Sequence, residues 1–169
     1  MSRSMDLTIR RFERNDIVLD ALLEVDESQR EQVVFSSSNP QAANAHTLKV
    51  TLADVGDGGV GIQTSVFLPR GLKARVRVMA PRLESQDGET ANQRDPQGEA
   101  TTEVLFEHGV QVRRVELTSR IPTFFIGMSF ENAAPDMSQQ VEAFMARASE
   151  VFRAVNMARL EAMERGDVA

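Results

Sequence analysis

A chain of 169 residues with 41% hydrophobic content is long enough to bury one core and too apolar for general disorder. Its net charge of -6 removes DNA and anionic membranes as default partners, and the lack of cysteine removes disulfides, thiolate catalysis and thiolate zinc sites. With His46 and His108 as the only histidines, no apolar run near the roughly 18 residues of a membrane span and no signal-peptide core, a soluble cytoplasmic protein without a metal centre or membrane span is expected.

In chain order, residues 1–9 form an N-terminal tail, followed by Arg10-Arg11-Phe12-Glu13-Arg14, three arginines within five positions of an acidic protein. Arg10 and Arg14 share a face in any helical or turn-like segment, and guanidinium forks suit phosphate oxygens, the O6/N7 edge of guanine or a purine face. Asp16–Glu24 is ambiguous between strand and helix, and Arg30–Phe35 (REQVVF) favours a strand. Ser36–Ala45 is a loop with Asn39-Pro40 as its turn signal, while Thr47–Leu52 alternates polar and apolar as a half-buried strand does.

Four glycines then fall within six residues, in Asp54-Val55-Gly56-Asp57-Gly58-Gly59-Val60-Gly61. Gly56, Gly58 and Gly61 match the dinucleotide-binding fingerprint, which requires a preceding strand and a following helix. The β-branched stretch Gly61–Phe67 and Pro69 exclude that helix. A phosphate loop needs Lys where Ile62 stands, and Asp54 and Asp57 lack the spacing of a calcium loop. What remains is a hairpin turn, with Asp57-Gly58 at its tip and Gly58 and Gly61 as hairpin glycines.

Val60–Phe67 is β-rich, Pro69-Arg70-Gly71 is a turn and Lys73–Val78 alternates again. Residues 81–100 are polar, as in a mobile loop. Strands are expected at Thr102–Glu107 and Gly109–Leu117, with a bend at His108-Gly109, Val110 and Val112 inward, and Arg113 and Arg114 where the facing switches. Thr123–Phe130 closes the series, and short strands at this spacing indicate an antiparallel barrel or sandwich. An amphipathic helix at 136–165 follows, with Ser138 as N-cap and Val141, Phe144, Met145, Ala148, Val151, Phe152 and Val155 on its apolar face. Because Val141, Ala148 and Val155 recur every seven residues, pairing with a second copy of the chain is a further expectation.

The order of these features resembles the PilZ domain family, receptors for the bacterial second messenger cyclic di-GMP. The family's Arg-x-x-x-Arg is present as Arg10 to Arg14, and its Asp-x-Ser-x-x-Gly as Asp54 to Gly59 with Gly56 in the serine position. The strands V-Q-V-R-R-V-E-L and F-F-I-G-M-S-F resemble the family's last two, so the likeness covers roughly residues 10–130. It implies a mainly β protein with a six-stranded antiparallel barrel at 10–132, followed by the C-terminal helix. It also implies binding without catalysis, in keeping with a sequence that offers no catalytic constellation.

By that resemblance Arg10 and Arg14 would hold phosphates and guanines with Arg11 as helper. Asp54 would accept from guanine N1 and N2, and Gly59 would permit the tight turn and close ligand approach. Ligand-dependent ordering of the arginine segment would relay the signal to a downstream protein. Gly56 removes a hydroxyl and Asp57 adds a negative charge beside the phosphates, so the alternative expectation is a PilZ-like barrel that has lost the nucleotide and serves as a protein-interaction module.

Overall fold

The computed structural model describes residues 19–81, 102–119 and 123–164. The tail 1–9, the arginine segment 10–14 and all of the expected loop 81–100 except Pro81, which ends a strand, lie outside the described residues.

Seven strands and one long helix make up the described chain. They are β1 (Leu19–Val25), β2 (Ala42–Asn44), β3 (Thr47–Gly56), β4 (Gly59–Thr64), β5 (Lys73–Pro81), β6 (Thr102–Ser119), β7 (Thr123–Phe130) and α1 (Met137–Glu164). The sheet order is β1-β5-β6-β7-β4-β3-β2, every pairing is antiparallel, and β1 also pairs with β3. Six strands therefore form a closed hydrogen-bonded ring, with β2 added beside β3. Closure leaves no free edge among those six, which is how such a small sheet avoids edge-to-edge association.

Period-two alternation produces the ring's interior. Leu48, Val50 and Leu52 on β3, Val76 and Val78 on β5, and Ile126 and Met128 on β7 are all buried, while the residues between them face outward. Val110 and Val112 are buried as expected, and Val115 is partly buried against the same core. No bend occurs at His108-Gly109: both continue the β5–β6 ladder, opposite Val76 and Arg75. The His108 ring is accommodated in the strand by packing against Phe130, with centroids 5.0 Å apart.

The segment Arg30–Phe35 is not a strand. Asp26 accepts a hydrogen bond from the Ser28 amide (3.0 Å) and starts a short 3-10 turn, Glu27–Gln29. The chain then continues through a turn until Phe35 enters the core, its amide bonded to the Ala45 carbonyl at 2.8 Å. Val33 packs against the core beside Phe35 while Val34 is 65% exposed, so the alternation is present but the segment joins no strand ladder.

Helix α1 starts at Met137, which places Ser138 inside the first turn rather than at the cap. Met137, Val141, Phe144 and Ala148 join the ring's core, and the Phe144 ring packs on Phe106 at 5.3 Å. Arg147 bonds Glu103 of β6 at 2.7 Å. The seven-residue repeat thus packs Val141 and Ala148 inward against the protein's own core, leaving Val155 44% exposed. Past Val151 the large apolar side chains Phe152, Met157, Leu160 and Met163 are exposed as well. Among the described residues no helix is long and apolar enough to cross a membrane.

Candidate ligand-binding site

The glycine-rich stretch is a hairpin. Gly56 pairs with Gly59, and Asp57-Gly58 forms the two-residue connection. An antiparallel β4 directly after the turn rules out the strand–helix geometry of a dinucleotide fold. Gly58 does not have positive φ, which among the described glycines belongs to Gly71 (83°) alone. The turn is therefore not the mirror-image type that Asp-Gly pairs commonly adopt. The Gly58 carbonyl instead accepts from the Phe130 amide at 3.0 Å, fastening the hairpin tip to the end of β7.

Asp54 owes its position to an irregularity. Register with β4 passes from Leu52↔Ile62 to Asp54↔Gly61, so Ala53 is an extra residue on β3. A bulge of this kind shifts the alternation by one. Ala53 and Asp54 are consecutively exposed, whereas unbroken alternation from Leu52 would have turned Asp54 inward; Val55 then returns to the core. The carboxylate stands on the outer face.

The glycines around it answer to different demands. A Cβ at Gly59 would lie 1.8 Å from the Met128 carbonyl oxygen, so close approach of β7 requires that glycine. At Gly61 a Cβ would meet the Phe125 ring at 2.5 Å and the Asp54 Cβ at 3.2 Å; Gly61 is thus a ladder residue covered by an aromatic ring, not a turn glycine. Gly56 is the reverse case, since nothing stands within 4 Å of a Cβ built there. A serine side chain fits that position without displacing anything.

The outer face continues beyond the expected residues. Asp54 opposes Gly61, Gly61 opposes Gly127, and Gly127 opposes Arg114, giving one row across β3, β4, β7 and β6. Arg113 is a second extra residue, between Val112↔Met128 and Arg114↔Gly127, and both arginines are exposed. The Arg113 Nε donates to Ser129 Oγ at 2.8 Å, and Ser129 pairs with Gly59. Arg114 bonds Glu116 on its own strand through Nε at 2.7 Å and also through Nη2. The adjacent Arg-Arg pair is visible in the sequence, but its placement beside the hairpin depends on β7, which is remote from β3 and β4 in the chain.

The structure thus brings Asp54, Gly56 and Gly59 together at one hairpin. Arg10, Arg11 and Arg14 are outside the described residues. A different basic pair on β5, Arg75 and Arg77, is engaged by Glu107 of β6 at 2.9 and 2.7 Å, and these two guanidiniums hold the Glu107 carboxyl below its ordinary range. Among the described residues no group of three or more His, Asp or Glu side chains is placed to hold a metal ion.

No protein-family model matches the chain, and no curated protein matches it. Among solved structures it is similar to the inhibitor of motility MotI/DgrA of Bacillus subtilis, at 13% identity and a TM-score of 0.43, over 88% of this chain and 51% of that one. The chain therefore spans about half the length of that protein. It is also similar to the PilZ domain of YcgR from Escherichia coli with c-di-GMP, at 15% identity and a TM-score of 0.36, over 89% of each chain.

Proposed function

We propose that this protein is a cyclic di-GMP receptor of the PilZ type that acts by binding, without catalysis. The observation that carries the reading is the bulge at Ala53, which turns the Asp54 carboxylate outward beside the Gly56–Gly59 hairpin. A carboxylate there is an acceptor for the N1 and N2 donors of a guanine. The sequence supplies Arg10, Arg11 and Arg14 for phosphates and guanine faces. The signal passes to a downstream protein when the arginine segment orders around the ligand.

Open space over Gly56 supports retention of binding in place of its loss. The missing serine hydroxyl leaves no clash and no distorted turn, only one hydrogen bond fewer. Such a bond is worth about 0.5–1.5 kcal/mol, roughly a tenfold change in affinity at most.

Thermal unfolding with and without ligand tests the proposal, since a ligand that binds only the folded state raises the melting temperature. Cyclic di-GMP is expected to raise it by several degrees, with cyclic di-AMP and GTP ineffective. Arg14→Ala and Asp54→Ala are each expected to abolish the rise. Equal shifts with all three nucleotides, or a full shift in both variants, would refute it.

A further inference from the structure

Phe125 stands beside Asp54 on the outside of the ring. On β7 Ile126 is buried and Phe124 packs against the core, so alternation turns Phe125 the other way. Phe125 pairs with Gln63 of β4, one diagonal step from Gly61. Gly61 lies between Val60 and Ile62, both buried in the core, so its bare α-carbon faces outward. Two groups converge there. Of the position a Gly61 Cβ would take, Phe125 Cζ is 2.5 Å away, Phe125 Cε2 2.9 Å and the Asp54 Cβ 3.2 Å. This common neighbour sets the ring and the carboxylate side by side, and only glycine leaves room for both.

The other rings on β6 and β7 pack on aromatic neighbours: Phe106 on His108, Phe130 and Phe144, and Phe124 on Phe67. Among the described residues no ring packs on Phe125, and the residue is only partly buried. Covering Gly61 accounts for an apolar side chain of this bulk, but leucine would shield the backbone as well; it does not account for a flat ring. A flat apolar ring beside a carboxylate meets two demands of a guanine, a surface to stack on and an acceptor for its N1 and N2 donors. Adenine carries an acceptor at N1, which a carboxylate repels.

Resting on the cyclic di-GMP reading, we infer that Phe125 is the stacking residue of the site: a guanine lies against its ring while Asp54 accepts from that base's N1 and N2 donors. An aromatic residue of β7, outside the glycine-rich motif, then selects a guanine together with the carboxylate of β3.

The chain contains neither tryptophan nor tyrosine, so Phe125→Trp places a sole indole at the contact, where a stacked guanine quenches its emission. Calorimetric and fluorescence titrations of the full chain with cyclic di-GMP test the inference in wild type, Phe125→Leu, Phe125→Trp and Phe152→Trp, the last a control on the distal half of α1. Phe125→Leu keeps Gly61 covered and should melt near wild type, yet bind about five- to fiftyfold more weakly for want of a stacking face. Phe125→Trp should bind as wild type does and lose emission in step with the heat, whereas Phe152→Trp should bind with its emission unchanged. Undiminished affinity of Phe125→Leu, or saturable heat from Phe125→Trp with no fall in emission, would overturn the inference while leaving the receptor reading intact. Absence of heat from the wild type overturns both. Should Phe125→Leu fail to fold, Phe125→Trp decides: quenching supports the assignment, and constant emission on binding refutes it.

Discussion

Gly59 and Met128 approach so closely that a Cβ on the glycine would stand 1.8 Å from the Met128 carbonyl oxygen. The obstacle is backbone, which no rotamer change relieves, so β4 and β7 must separate to admit even alanine. Overpacking of this kind costs about 1–3 kcal/mol or more. Gly59→Ala is expected to lower the melting temperature by roughly 2–12 °C, by circular dichroism, and to weaken any ligand bound at the hairpin. A melting curve matching wild type would show that the two strands are not in this contact.

Gly56 offers the opposite test. Its Cβ position is open, so Gly56→Ser should leave the melting temperature nearly unchanged and tighten cyclic di-GMP binding by up to about tenfold. A variant that folds normally and binds no better would remove the serine hydroxyl from the account of this site.

Two apolar residues of α1 should behave differently. Phe144 is 3% exposed and packs on Phe106, whereas Leu160 is 57% exposed. Phe144→Ala is therefore expected to cost about 3–5 kcal/mol in denaturant unfolding. Leu160→Ala should stay within about 0.5 kcal/mol of wild type. Similar losses at both positions would mean that the helix is docked along its whole length.

Acid stability should report the Glu107 cluster. Hydrogen bonds from Arg77 and then Arg75 lower the folded-state pKa of Glu107. A depressed carboxylate contributes stability above its unfolded value, about 4.3, and loses it as pH falls through the lower folded value. Wild type should therefore lose melting temperature on acidification across that window. Glu107→Gln should start lower at neutral pH and show a shallower acid limb; parallel limbs would remove Glu107 from the acid response.

Much of the architecture is legible in the sequence because each strand buries one face. Thr47–Leu52 and Lys73–Val78 alternate cleanly, Thr123–Phe130 is rich in strand-forming residues, and all three are strands of the ring. The same rule misleads at Arg30–Phe35, where Phe35 enters the core and Val33 packs against it, yet the segment joins no strand ladder. It misleads again at His108-Gly109, where a glycine that reads as a bend lies inside a ladder. The site is less legible than the fold. Asp54 and the glycines can be picked out by type, but what turns Asp54 outward is an extra alanine in register with nothing on β4. Gly59 and Gly61 are dictated by Met128 and Phe125, more than sixty positions away in the chain. Arg113 reaches Ser129, the strand partner of Gly59, only through the β6–β7 pairing.

The central claim is that the face around Asp54 binds cyclic di-GMP, and a calorimetric titration of the full chain beside its Asp54→Ala variant tests it most directly. The account predicts saturable heat from the wild type and its loss in a variant that melts at the wild-type temperature, as an exposed side chain should allow. No heat from the wild type at high micromolar ligand, or undiminished binding after Asp54→Ala, would contradict it.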